Sequence, residues 1–400
     1  MITKKLVTTE FGVENAEMFV NSFTSDSDQY FVFAGKHIPY PNTDSTIPQP
    51  TNSINDKDIN VYNNMVFAKK VSPNDVVQMV DKNLWVQDRV YDAYDNADGD
   101  LENKDFFVVV DNDSEYNVFK CLFNNNGANS SSAPTKVGSA ADLEPIITAD
   151  GYVWKYMWTI TSAQYDKFST NAYIPVIANN TVIDNAVGGT VDVIKVNDGG
   201  AGYDNYIAGA AFNIGEIQIG GDPTRYGAPS TASNVDDFYR GCVMKITSGS
   251  GANQYRRIVA YNGSGISKTF TLNEGFNVVP SVNDTYEIMP YIYVWGDGIE
   301  TQAAEALAVI NSSANSIDSV EVLAAGAGYR SGNIVPGTFP SEIPITPVTA
   351  QVDLPDIIGL DVNFKQAILT PVIAPSYGHG GNPWLELGAN KVCVYTKFSN

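Results

Sequence analysis

Asp150-Gly151-Tyr152-Val153-Trp154-Lys155-Tyr156-Met157-Trp158 is the stretch on which the fold class turns. Its side chains alternate with a period of two, which predicts one strand face carrying Tyr152, Trp154, Tyr156 and Trp158. Large aromatics dominate cores, so a buried sandwich face is the simpler account of this stripe than an exposed interface. The pattern recurs upstream in Phe106-Phe107-Val108-Val109-Val110 and Tyr116-Asn117-Val118-Phe119-Lys120-Cys121-Leu122. Turn clusters such as Asn124-Asn125-Asn126-Gly127 and Gly199-Gly200-Ala201-Gly202 supply the positive φ that hairpins and bulges demand. These features predict a mainly β chain, a multi-domain β-sandwich with a few short helices.

Helical periodicity is confined to short stretches. Ala16, Phe19, Val20 and Phe23 predict a helix of about ten residues beginning near Glu14. Ser72 has the features of an N-cap, with Pro73 at the first helical position and Asp75 placed to close a capping box. Val76, Val77 and Val80 would follow inside that second helix. A third, weaker start falls at Ser162.

Val191-Asp192-Val193-Ile194-Lys195-Val196 leading into Gly200-Ala201-Gly202-Tyr203 is echoed by Ser319-Val320-Glu321-Val322 leading into Gly326-Ala327-Gly328-Tyr329. Two copies do not make a solenoid, which needs at least three adjacent repeats. They predict matching strand-turn elements of one middle domain, with Tyr203 and Tyr329 as packing caps. Between them, about 237–290 has the rhythm of an inserted four-stranded β-meander, from Val243-Met244-Lys245-Ile246 to Asp284-Thr285-Tyr286-Glu287-Ile288. Long insertions cost little closure entropy when their ends meet. The expected division is an N-terminal domain, 1–175, completed by C-terminal strands in 361–400, and a middle β domain, 176–360. Its boundaries fall near Pro175 and Leu360.

Within 400 residues, Lys and Arg number 24 and Asp and Glu 45, giving a formal net charge of −21 that repels phosphate backbones and argues against nucleic acid. Charged residues make up only 17%, so Asn, Ser, Thr, Gly and 22 Tyr carry a polar surface suited to contacts between proteins. Cys121, Cys242 and Cys393 are far apart and odd in number, as expected of reduced thiols. No secretory h-region follows Lys4-Lys5, and no apolar run approaches the length of a membrane helix. A reducing, cytosol-like compartment and no membrane partner are the expectations.

Two histidines, His37 and His379, cannot assemble a His-rich metal centre or a multi-histidine catalytic cluster. The best metal candidate is the acidic loop around Gly99, where Asp95, Asp98 and Asp100 resemble calcium ligands. Its spacing departs from the EF-hand, which favours a solvated acidic loop. The Gly-rich turns lack a following Lys-Ser/Thr and helix, so they predict hairpin geometry rather than a phosphate loop. In Ser376-Tyr377-Gly378-His379-Gly380-Gly381, an exposed imidazole could act as a general base, yet no nucleophile motif accompanies it. A structural histidine bonding its loop backbone is the plainer reading. Paired carboxylates of a glycosidase need no fixed spacing, so the sequence permits them without suggesting them. The basic pair Arg256-Arg257 predicts a strand-edge or interface salt bridge. No catalytic residue, cofactor or small-molecule substrate is predicted.

Thr8-Thr9-Glu10-Phe11-Gly12-Val13-Glu14-Asn15-Ala16-Glu17-Met18-Phe19-Val20-Asn21-Ser22-Phe23, the strand Gln29-Tyr30-Phe31-Val32-Phe33-Ala34-Gly35-Lys36, the strands at Tyr116 and Tyr152 quoted above, Gly378-His379-Gly380-Gly381 with Glu386-Leu387-Gly388-Ala389, and Val392-Cys393-Val394-Tyr395-Thr396-Lys397-Phe398 form a set. Together these strings resemble the baseplate wedge subunit of gene product 8 type from contractile-tailed T-even-like bacteriophages. The resemblance covers roughly the first 175 residues and the last 30, while the middle is similar only to generic phage-tail β modules. It implies β-sandwich domains with short terminal helices and a non-enzymatic virion component that dimerises within each wedge. It further implies that the protein binds other baseplate wedge proteins and is assembled in the host cytoplasm. The rival readings are a tail-associated carbohydrate or receptor-binding β protein and a tail glycosidase.

Overall fold

The computed structural model describes residues 8–25, 29–35, 62–96, 98–138, 140–203, 206–296, 302–330, 349–352 and 364–397. The N-terminal run 1–7, His37, the boundary expected near Leu360, and Lys36 and Phe398 of the quoted strands lie outside these residues. The fold is mainly β, with several antiparallel sheets and short helices.

The aromatic stretch forms Val153–Thr161, which pairs in a four-stranded sheet with Glu115–Phe123 on one side and Ile146–Ile147 on the other, Phe107–Asp111 lying beyond Glu115–Phe123. Its expected single aromatic face is broken by a bulge. Val118 lies opposite Trp158 and Phe119 opposite Tyr156, so Met157 is the extra residue and the parity changes there. Tyr152, Trp154 and Tyr156 therefore pack with Tyr91, Phe119 and Cys121, whereas Trp158 packs on the opposite face with Val109, Val118 and Ile174. All four aromatics are buried, as a core requires. Trp158 Nε1 donates to the Pro175 carbonyl at 3.2 Å, satisfying the polar edge that burial would otherwise strand.

The first helix runs Thr9–Ser22, earlier and longer than its periodicity suggested, because Thr8 caps it by accepting from Phe11 N at 3.2 Å. Val13, Ala16 and Phe23 are its buried stripe. At Ser72 the capping box forms, but the helix does not follow. Pro73–Asp75 makes a single 3₁₀ turn and the chain enters the strand Val76–Asp81. β-Branched valines and a central place between Lys391–Val394 and Tyr173–Pro175 override the local start signal. The start at Ser162 holds, Ser162–Phe168 being capped by a reciprocal Thr161–Gln164 box.

A second body is a curled six-stranded sheet in the order Ser316–Ala324, Glu305–Asn311, Tyr291–Trp295, Thr349–Val352, Ile368–Ile373, Val191–Asp198. Its two outer strands meet at both ends, where Val191 N donates to Ala325 O and Ile317 N to Gly199 O, each at 2.8 Å. Of the C-terminal strands expected to complete the N-terminal domain, Lys391–Val394 pairs with Val76–Asp81, whereas Ile368–Ile373 belongs to this half-barrel.

The two Gly-Ala-Gly-Tyr turns close the half-barrel reciprocally. Gly200 and Gly326 have φ of 65° and 64°, and a Cβ on them would lie 2.2 Å from Lys365 O and 2.6 Å from Ala304 N. The buried Tyr203 hydroxyl accepts from Ala367 N at 2.6 Å, just before one barrel strand, and Tyr329 accepts from Ala304 N at 2.8 Å, just before another. Tyr203 N also donates to Asn315 O, and Tyr329 N to Gly189 O. Each turn thus fixes the entry of the strand that carries the other turn.

The four expected meander strands are present as Val243–Ile246, Tyr255–Asn262, Thr269–Leu272 and Thr285–Met289. Ile207–Ala211 and Arg225–Gly227 extend them to six, so this sheet begins at Ile207 rather than near Asp237. It has a core of its own around Phe212, Tyr226, Phe270 and Tyr286. Val243 and Met289 of this sheet also pack into the half-barrel core with Val191 and Tyr291, and Val193 and Val372 of the half-barrel share a core with Trp158 and Ile174 of the N-terminal sheets and Leu387 of the C-terminal segment.

Candidate functional site

Where the N-terminal sheets, the half-barrel and the C-terminal loop meet, they enclose a cluster of ionisable side chains. Lys120 comes from the central strand Glu115–Phe123 and Asp192 from the barrel strand Val191–Asp198. His379 and Glu386 come from the loop and short helix Pro383–Glu386 that follow Ile368–Ile373. Asn382 caps that helix by accepting from Leu385 N at 3.0 Å, with Pro383 at its first position. Gly380, at φ 83°, lets the loop turn inward and donates its N–H to Glu386 Oε1 at 2.6 Å.

The side chains of Lys120 and Glu386 are 0% and 1% exposed and are ion-paired through Lys120 Nζ and Glu386 Oε2. Burying either charge alone would cost several kcal/mol, so pairing is the condition for their being there. The Lys120 ammonium also lies 4.0 Å from the centroid of the Tyr94 ring, whose negative face favours it. Burial lowers the lysine pKa against the pull of Glu386. Burial works to raise that of Glu386, but Lys120 and the hydrogen bonds prevail and hold the carboxylate below its ordinary range.

His379 was expected to be exposed or to bond its loop backbone; it does neither. It is 3% exposed, and its two ring nitrogens make no hydrogen bond among the described residues. Nε2 stands 3.7 Å from Asp192 Oδ2 and Nδ1 3.9 Å from Glu386 Oε2, both beyond hydrogen-bonding reach, and the ring sits edge-on to Tyr94. The loop is drawn inward because Glu386 must meet Lys120, and His379 is buried with it. Burial, then the neighbouring ammonium, lower its pKa and favour the neutral imidazole. The cluster is arranged as an ionic lock between three parts of the chain.

The acidic loop is also turned to fastening. Asp95 pairs with Lys195 of the half-barrel at 3.1 Å, Asp98 with Lys104, and Asp100 Oδ1 accepts from Asn103 Nδ2 at 2.6 Å. Asn96 Oδ1 accepts from Ile373 N at 3.0 Å, tying the loop to a second barrel strand. Among the described residues, no group of three or more His, Cys, Asp or Glu side chains is placed to hold a metal ion. Nor is any described helix long and apolar enough to cross a membrane. Cys121, Cys242 and Cys393 form no disulfide.

Two surfaces remain that the sequence did not reveal. On the N-terminal helix and the antiparallel ribbon Phe31–Gly35 with Met65–Lys70, the side chains of Phe11, Met18, Phe31 and Val66 are more than half exposed. The other surface lies beside the basic pair. Arg256 meets Glu274 at 3.3 Å, while Arg257 turns the opposite way, over the rings of Tyr291 and Tyr293 at 4.8 and 4.7 Å. The lock itself had one legible signal: Lys120, a cation inside the apolar run from Val118 to Leu122. Its partners Glu386 and Asp192 had none, being distant in sequence.

Compared with models of known families the chain matches none, and among curated proteins there is no significant match.

Proposed function

We propose that this protein is a non-enzymatic structural subunit of a contractile phage tail, a dimeric adaptor in the baseplate wedge that binds other wedge proteins. The observation that carries the reading is the coincidence of two features in the first helix and ribbon. These segments hold the strings that resemble the wedge family, and they expose a concentration of large apolar side chains. Large apolar side chains exposed in this number are characteristic of a protein-protein contact. Phe31 and Phe33 lie on the ribbon face opposite Tyr30 and Val32, which pack toward the helix, and Val66 is exposed at the register shift of the partner strand, so substitutions at Phe31 and Val66 leave the local core in place. The buried ionic lock is compatible with the same role, since it ties three regions of the chain together.

Phe31→Ser combined with Val66→Lys, co-expressed with the neighbouring tail proteins, tests this reading. The adaptor reading expects a folded protein with unchanged circular dichroism that no longer enters the larger complex. Normal incorporation of the double variant would remove the ribbon from the account.

A further inference from the structure

The ionic lock gathers the parts of an amide-forming reaction around one carboxyl carbon. The Lys120 ammonium donates to Glu386 Oε2, and the Gly380 N–H donates to Glu386 Oε1 at 2.6 Å. His379 Nδ1 stands 3.9 Å from the same Oε2, while its Nε2 stands 3.7 Å from Asp192 Oδ2. The imidazole is buried with neither nitrogen hydrogen-bonded among the described residues, although buried polar groups are ordinarily paired. A purely structural ion pair needs no such idle imidazole set between two carboxylates.

We propose that Lys120 and Glu386 condense into an amide cross-link, a reaction the chain performs once on itself with His379 as the proton carrier. The ammonium first passes a proton across its hydrogen bond to Oε2, leaving an amine beside a carboxylic acid. The Nζ lone pair then attacks Cδ, and the charge that develops on Oε1 meets the Gly380 N–H. His379 Nδ1 takes the surplus proton from the nitrogen and gives it to Oε2, and Asp192 steadies the imidazolium between the two transfers. The Cδ–Oε2 bond breaks and Oε2 leaves as water. One amide bond has then formed, one C–O bond has been lost, and His379 ends neutral as it began. Burial, which lowers the pKa of both Lys120 and His379, favours the amine and the neutral imidazole that these steps use.

Condensation removes two charges whose burial is costly. Well-oriented groups within one molecule also react at effective concentrations of about 10⁵–10⁸ M. The Tyr94 ring, 4.0 Å from Nζ, and the burial of both side chains keep water from reversing the reaction. The ion pair is the reactant, and it persists in any chain that has not condensed. The amide joins the strand Glu115–Phe123 to the helix Pro383–Glu386 across 266 positions, a span that contains the half-barrel and the inserted sheet. A pull on the segments outside 120–386 would pass through the cross-link rather than through those sheets.

The inference does not depend on the wedge reading and is tested separately. The purified full chain is denatured and weighed by mass spectrometry, then digested with trypsin. The expected result is a chain one water lighter than its sequence and a branched peptide joining Lys120 to Glu386, both absent in Lys120→Met and in Glu386→Leu. In His379→Gln the light form should accumulate at least tenfold more slowly after synthesis; an equal rate would overturn the role given to His379. The parent chain decides the cross-link without any variant. Its full sequence mass after prolonged incubation would overturn the proposal, as would a water loss that maps instead to Asp98-Gly99 or Asp150-Gly151, where an aspartate can cyclise onto the next backbone nitrogen. A monomeric solution mass and no assembly would count against the wedge reading alone.

Discussion

Lys120 and Glu386 stand 266 positions apart and meet in a site with almost no water contact. Removing one partner of such a pair leaves a buried charge unmatched, so Lys120→Met is expected to cost about 3–5 kcal/mol of stability in denaturant unfolding. Lys120→Met with Glu386→Leu should recover much of that loss, because neither charge then remains. A double variant no more stable than Lys120→Met would show that the pair is not the source of the cost. His379 gives the cluster a pH dependence. Lys120, Asp192, Glu386 and the ring of Tyr94 surround or influence it, and its folded pKa lies below the ordinary 6.5. The unfolded chain therefore takes up a proton that the folded chain resists. Stability is full above about pH 6.5 and falls as the pH drops through that value. Glu386, held below its ordinary 4.5, adds a further loss as the pH falls through the carboxylate range. Unfolding midpoints measured between about pH 7 and 5 should flatten in His379→Gln; an unaltered slope would assign the effect elsewhere.

At the scale of elements, the reciprocal glycine turns set the half-barrel. Gly200→Ala and Gly326→Ala place a methyl group against backbone in left-handed conformation. Each should cost more than the roughly 1–2 kcal/mol of the conformation alone. Gly209→Ala, at φ 62° with nothing within 4 Å of its Cβ, should show only that smaller cost. Thermal unfolding of the three variants separates the two contributions, and equal losses would mean that the close approaches are unimportant. Sequence periodicity reaches this scale unevenly. The strands at Phe107, Glu115 and Val153 and the helix start at Ser162 follow from local pattern, because alternation and helix-start signals act over a few residues. The bulge at Met157 depends on the partner strand, and Trp158 changes face with no local signal. Ser72 shows the converse: its capping box forms, yet sheet pairing decides what Val76 becomes. Ile207–Ala211 is short and rich in small residues, so its place in the inserted sheet could not be read from alternation. The burial of His379 follows from Glu386 reaching Lys120, a contact between distant segments.

Across the whole molecule, the N-terminal sheets and half-barrel share a core, the ionic lock and acidic loop bind them to the C-terminal segment, and the inserted sheet has a core of its own and also packs Val243 and Met289 into that of the half-barrel. A chain of net charge −21 resists indiscriminate association, so stable contacts must come from particular apolar surfaces. The first helix and ribbon provide one. The central claim, a dimeric adaptor within a larger tail complex, is tested most directly by light-scattering mass, alone and after co-expression with neighbouring tail proteins. The account predicts twice the 43.3 kDa of one chain, and entry of that dimer into a defined larger complex. A strict monomer that ignores those proteins would contradict it.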